Sequence, residues 1–260
     1  MIPAWALPLL IGLGIVFASS DASADDTPDT EPAGPVPKGY AAVRATAGKY
    51  ADLIGLKGSD KEWFQRMAMV QSHSESRGNP LAANRTTSEK AAARKAYDRN
   101  APKMPAIVQG TDPYDWYGDF GSGGWFGLIP GNGLYFFRKD ARPGEFGPND
   151  VFDPWRSMVM YAAYIQGLTN WRQFRESPQD AYAIKRGGAA PGLMDNLPDD
   201  DDGTERDNVS NRNLERAIDR LGIPASWATQ KVPQALRVRR DWAALARAGE
   251  GRACLLYTSD

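Results

Sequence analysis

The chain has 260 residues, 42% of them hydrophobic, with 31 Lys and Arg against 32 Asp and Glu and a formal net charge of −1. That length and apolar fraction give one sizeable core, or one domain with tails, and the balanced charge creates no field of one sign to make nucleic acid or anionic lipid the main partner. A single cysteine, Cys254, and a single histidine, His73, exclude an internal disulfide framework and the usual Cys/His zinc sites.

Residues 2–18 form an apolar run, and Ala22-Ser23-Ala24 behind it fits the A-x-A pattern of a cleavage site, so residues 1–24 read as a signal peptide and imply export. No Lys or Arg precedes the run, and Pro3 and Pro8 are awkward in a helix, so an uncleaved membrane anchor is the alternative. Residues 25–38 are acidic and proline-rich, a linker composition that buries too little apolar surface to order itself. A first helix is expected from Tyr40 to Ile54, closed by Gly55.

A second helix is expected to start at Ser59, with Glu62 three residues on completing a capping box. At 100° per residue, Phe64, Met67, Ala68 and Gln71 share one stripe, and Glu75 falls within about 20° of Phe64 on it. His73 lies about 180° away from Phe64 and is no obvious partner for Glu75. Gly78, Asn79 and Pro80 stop the helix, which leaves Glu75 in the last turn, against the negative end of the helix dipole. That conflict asks for a reason.

Thr87 to Arg99 reads as a helix of high propensity, with Glu89, Lys90 and Lys95 on a solvated face. Between Pro102 and Gly133 glycine and aromatics dominate, among them Tyr114, Trp116, Tyr117, Phe120, Trp125 and Phe126, as in a wall or a groove. Asp153 as N-cap and Pro154 at the first helical position open a helix that is apolar on most faces, so central and buried. Ser177, Pro178 and Asp180 start a short helix ending at Gly187, and Asp199 to Asp202 is a solvated acidic linker rather than a calcium loop, which would need spaced ligands and a glycine turn. Leu214 to Leu221 and Val232 to Ala248 read as amphipathic helices packed on the main domain or forming an appendage. Residues 254–260 break in character from the segment before them and resemble translated adapter sequence, so no function is drawn from Cys254.

Glu75-Ser76, with Gly78-Asn79-Pro80 behind, resembles the catalytic-helix end of the lysozyme-like lytic transglycosylases and goose-type lysozymes. Gly127-Leu128-Ile129 resembles that family's Gly-Leu-Met segment, with Pro130 where its glutamine stands, and Asp153-Pro154 matches its next helix start. The stretch from Tyr182 to Gly192 sits where an Ala-Tyr-Asn segment is expected, but Lys185 and Arg186 occupy it and no Tyr-Asn pair exists, which leaves Tyr182 as the candidate tyrosine. Residues 84–120 are longer than the family's usual connection.

The resemblance implies a mainly α, lysozyme-like fold over residues 39–198, with a helical insertion and a C-terminal helical extension in 199–253. It implies a peptidoglycan lytic transglycosylase that cleaves the MurNAc–GlcNAc β-1,4 bond with Glu75 as single general acid/base, forming 1,6-anhydro-MurNAc ends without a cofactor or metal. Glycan strands of peptidoglycan are the implied partner, with no role for nucleic acid and with membrane contact only through residues 2–18. Location would be the periplasm or cell envelope, or a phage particle. Protonating a poor leaving oxygen needs a carboxyl that keeps its proton near neutral pH, and partial burial and the negative helix end both disfavour the ionised form. Ser76 would orient the Glu75 carboxylate or cap backbone groups. Gly127, Leu128 and Ile129 would line the groove floor, while Trp116, Tyr117, Trp125 and Tyr135 would stack on sugar faces or serve the core.

A hydrolytic lysozyme of the same fold is the near alternative, and its second carboxylate would come from Asp112, Asp115 or Asp119, each as readable as a turn or cap residue. A non-catalytic wall-binding or virion protein is the alternative of another class, favoured by Pro130 and the missing Tyr-Asn pair.

Overall fold

Gly55, the residue expected to close the first helix, has φ +82°, and around it Leu56 N–H bonds back to the Ala51 carbonyl at 2.8 Å. This turn joins α1 (Lys38–Leu53) to α2 (Gly58–Ser76) in the computed structural model, which describes residues 38–137, 141–169 and 215–253. The described chain is mainly helical with little strand. After α2 come β1 (Ala83–Asn84), α3 (Thr87–Asn100), the short α4 (Pro105–Val108), β2 (Ser122–Gly123), α5 (Pro130–Phe137), α6 (Pro154–Thr169) and α7 (Trp242–Ala253). Residues 215–220 are also helical.

The pairing of α1 with α2 is the most extensive in the fold. Tyr50 meets Phe64 at 5.2 Å between ring centres, and Gln65 reaches across to donate to the Arg44 carbonyl at 3.1 Å. From Trp63 to Val70, the Phe64, Met67 and Ala68 stripe and its far side, with Trp63, Met69 and Val70, are buried alike. A helix buried on most of its sides, with only Gln65 and Arg66 of this stretch partly exposed, belongs inside a core and not on its edge. That explains His73, opposite Phe64, which is buried as well rather than turned to water.

The start of α2 differs from the expected capping box. The helix begins at Gly58 with Lys57 as N-cap and no side-chain cap, because Glu62 is engaged by Arg66 one turn on. An i,i+4 ion pair has taken the side chain that the box requires.

The N-cap of α6 is as expected: Asp153 Oδ1 accepts from Arg156 N–H at 2.7 Å, and residues Met158 to Ala163 are buried. Phe126 stacks on Tyr161 with centroids 4.2 Å apart, which ties α6 to the chain ahead of α5. On the other side α6 packs against α7, where Trp155 Nε1 donates to the Leu245 carbonyl at 2.9 Å and Arg247 pairs with Glu145 at 2.9 Å. Val232 to Ala248 is thus not one helix. Pro233 lacks an N–H and opens a 3-10 turn at Gln234–Arg237, and α7 starts only after Asp241, whose carboxylate caps Ala244 N–H at 2.9 Å. Ala217, Ile218, Leu221, Trp227, Leu236 and Ala246 join α1, α2 and α6 in one hydrophobic core.

Helix α3 starts at its Thr86 cap, but its charges are not all solvated. Glu89 is 2% exposed, because Gly121 packs directly on it: a Cβ there would lie 2.2 Å from the Glu89 backbone carbon. Ala92, Ala93 and Ala96 form a flat face that receives Ile129, and Asn100 donates to the Gly131 carbonyl at 3.0 Å. The α3–α5 contact closes on small residues.

Among the described helices none is long and apolar enough to cross a membrane. The expected leader and linker, the short helix from Ser177, the acidic run at Asp199 and the tail from Cys254 lie outside the described residues.

Candidate active site

The end of α2 is fixed by backbone geometry first. Arg77 adopts the left-handed conformation at φ +55° and Gly78 follows at φ +80°, so Arg77 N–H reaches the His73 carbonyl and Gly78 N–H the Ser72 carbonyl, each at 3.3 Å. This αL termination satisfies carbonyls that a helix end leaves unpaired. Asn79 Oδ1 then accepts from Leu81 N–H at 2.9 Å and turns the chain toward β1. Glu75 sits in the last turn, half-buried, as the sequence leads one to expect.

A small antiparallel two-stranded sheet carries the second part of the site. Ala83 pairs with Gly123 and Asn84 with Ser122, and a bridge from Gly123 to Leu128 folds the Gly-Leu-Ile segment back alongside. The expected wall or groove thus contains strand that two-residue segments do not advertise in sequence. Gly124 N–H donates to the Ala82 carbonyl at 2.9 Å. The segment after β2 is clamped to the helix end twice. Ser76 Oγ lies 3.0 Å from both the Ser72 and the Trp125 carbonyls, and Trp125 Nε1 donates to the Gly78 carbonyl at 3.1 Å.

The clamp brings Gly127 onto Glu75. A Cβ at Gly127 would stand 2.5 Å from Glu75 Oε2, and Gly127 has φ +56°, so glycine is required there both for conformation and for space. On the other oxygen, Gln71 Nε2 donates to Glu75 Oε1 at 3.0 Å. Two phenols, the buried Tyr161 and the half-buried Tyr164, lie within electrostatic reach. Burial, Tyr164 and then Glu75 push the Tyr161 hydroxyl well above the usual range, and burial followed by Glu75 does the same to Tyr164, so both remain protonated beside the carboxyl. The arrangement is a half-buried carboxyl held at one oxygen by an amide, bounded at the other by a glycine backbone, on a rigid helix end. It can keep one proton-transferring oxygen in place.

The remaining expected site residues divide by exposure. Gly127 and Leu128 are half-buried beside Glu75, whereas Ile129 is buried against α3 and so lines no groove floor. Trp125, at 3% exposed, and Trp116, at 1%, turn no ring face to solvent; Trp116 Nε1 donates to Thr111 Oγ1 at 3.1 Å. Both serve the core and not a sugar platform. Ser76 is buried and acts on backbone carbonyls, the second of its two expected roles. Tyr117 is half-buried between Tyr97 and Tyr114, with the Arg94 guanidinium 5.7 Å from its ring centre, and Tyr114 is 59% exposed. Asp112 caps Tyr114 N–H at 2.8 Å, while Asp115 and Asp119 are exposed. Tyr182, Lys185 and Arg186 lie outside the described residues, as does the side chain of Tyr135. Gln71, Tyr161 and Tyr164 were not singled out for the site by the sequence, although a glutamine one helical turn before a glutamate is a readable i,i+4 pair.

On the far face of α2 lies a second polar group. Arg77 Nη1 donates to His73 Nε2 at 2.8 Å, which leaves Nδ1 to carry the proton and donate to Tyr40 Oη at 2.6 Å. Burial, with Arg77 and Arg220 adding to it, pushes His73 down to about 4.

A shallow depression of about 570 Å³ opens elsewhere, lined by Tyr97, Asp98, Pro102, Pro105, Val108 and Gln109, and holds none of the candidate residues. Among the described residues, no three His, Cys, Asp or Glu side chains converge as metal ligands. Compared with known proteins, the chain matches no family model, no curated protein and no solved structure.

Proposed function

We propose that the protein is a peptidoglycan lytic transglycosylase of lysozyme-like fold, exported to the cell envelope or carried in a phage particle, with Glu75 as its single acid/base. The observation that carries this reading is the close approach of Glu75 Oε2 to Gly127, where an added Cβ would stand 2.5 Å from it. It brings together the Glu-Ser helix end and the Gly-Leu-Ile segment, which are far apart in sequence.

In the proposed reaction Glu75 gives its proton to the oxygen linking MurNAc C1 to GlcNAc, and the C1–O bond breaks. The 2-acetamido carbonyl shields the developing positive charge at C1. The MurNAc 6-hydroxyl then attacks C1 and passes its proton to the Glu75 carboxylate, closing the 1,6-anhydro ring and returning the acid. Water is not consumed.

Burial of Trp116 and Trp125 removes two expected sugar platforms and supports a second reading, a wall-binding protein that keeps the scaffold without turnover. A zymogram of wild type beside Glu75→Gln separates the two. Clearing by wild type and none by the variant is expected; clearing by neither, with sacculi still bound, overturns the enzymatic reading.

A further inference from the structure

We propose that Gln71 is the positioning residue of Glu75, fixing Oε1 so that Oε2 is the oxygen that carries and delivers the proton. The inference rests on reading Glu75 as the general acid. Gln71 lies one helical turn before Glu75, is 0% exposed, and its amide nitrogen is 3.0 Å from Glu75 Oε1. The other oxygen is the one that meets Gly127, on the half-exposed side of the site. The two oxygens therefore differ in surroundings: Oε1 accepts from the Gln71 amide within the core, and Oε2 faces the Gly127 segment.

The bond also has the right sense for the chemistry. An amide N–H donates to the carbonyl oxygen of a protonated carboxyl and to a carboxylate alike, but the bond to the ion is the stronger. It tightens as the proton leaves Oε2, which favours the transition state over the ground state. Stability alone does not explain Gln71. Among the described residues its own oxygen is buried and meets no hydrogen-bond donor, a costly arrangement that a methionine of similar length would avoid. A residue that burdens the fold and touches the acid is placed for the acid.

Gln71→Met is the first test. Its melting temperature is expected to equal or exceed that of wild type, while kcat for fragment release from sacculi falls about ten- to a hundredfold at unchanged KM, the range associated with a displaced reacting group. In Gln71→Glu two carboxyls at this spacing share one proton, and the alkaline limb of the pH profile is expected to move to higher pH. A readout that needs no turnover is the Gln71 side-chain amide resonance. It is expected to move with pH in wild type and to lose that movement in Glu75→Ala. Wild-type kcat in Gln71→Met, a loss of activity that only tracks a loss of melting temperature, or a pH-insensitive amide resonance would each overturn the inference. Inactive wild type overturns the proposed function instead, and the amide resonance then still decides whether Gln71 holds Glu75.

Discussion

Replacing Gly127 by alanine adds one methyl group and tests the contact on which the site depends. The methyl would lie 2.5 Å from Glu75 Oε2 and 3.3 Å from its carboxyl carbon, so the acid must swing away by roughly an ångström to reach ordinary contact distance. A non-glycine residue at φ +56° also carries about 1–2 kcal/mol of backbone strain. In a domain of this size that corresponds to a fall of about 2–8 °C in melting temperature. Displacing a reacting group by about 1 Å costs on the order of a hundredfold in rate. Gly55→Ala separates the two effects, since Gly55 has φ +82° and nothing within 4 Å of the new methyl. Both variants should melt earlier, and only Gly127→Ala should lose fragment release from sacculi. Equal activity in the two alanine variants would refute the claim that Gly127 sets the position of Glu75.

Gly124 makes a harsher demand, because a Cβ there would be 1.7 Å from the Val151 carbonyl oxygen, which is backbone and cannot rotate away. Gly124→Ala is expected to cost on the order of 3 kcal/mol or more, read by chemical denaturation, and a variant of wild-type stability would contradict the packing described. His73 predicts a dependence of stability on pH. Its folded value of about 4 lies below the unfolded 6.5, so the unfolded chain binds the proton more readily between them. Stability is complete above about pH 6.5 and falls by roughly 2–3 kcal/mol as pH drops toward 4. Protonation puts a second N–H against the Arg77 donor. His73→Gln should lose that part of the pH profile; a profile identical to wild type would show that the histidine is not held neutral.

What could be read in the sequence was local. Asp153-Pro154 signals a helix start within two residues, and Gly78 and Pro80 bound α2, so both ends were legible without tertiary information. The apparent capping box at Ser59 satisfied a pattern, but a pattern does not record that Arg66 competes for Glu62. Burial was the least legible property. Trp116, Trp125 and Ile129 in a glycine-rich stretch are compatible with a wall or a groove, and only the packing of the two-stranded sheet on α2 and of α3 on the loop decides between them. Glu89 was read as solvated from its polar neighbours, whereas it is covered by a glycine more than thirty residues later in the chain. Two-residue strands leave no alternation to detect, so the small sheet that carries Gly127 to Glu75 has no signature in the sequence. Gln71 is the instructive case: the helical spacing puts it on the stripe that Glu75 shares, but a stripe does not show that its amide bonds the acid one turn on.

The central claim is that Glu75 drives an intramolecular closure on the sugar rather than attack by water. Mass spectrometry of purified sacculi digested with wild type and with Glu75→Gln tests it most directly. The account predicts muropeptides ending in 1,6-anhydro-MurNAc from wild type and no soluble fragments from the variant. Reducing MurNAc ends from wild type, or anhydro products that persist in Glu75→Gln, would contradict it.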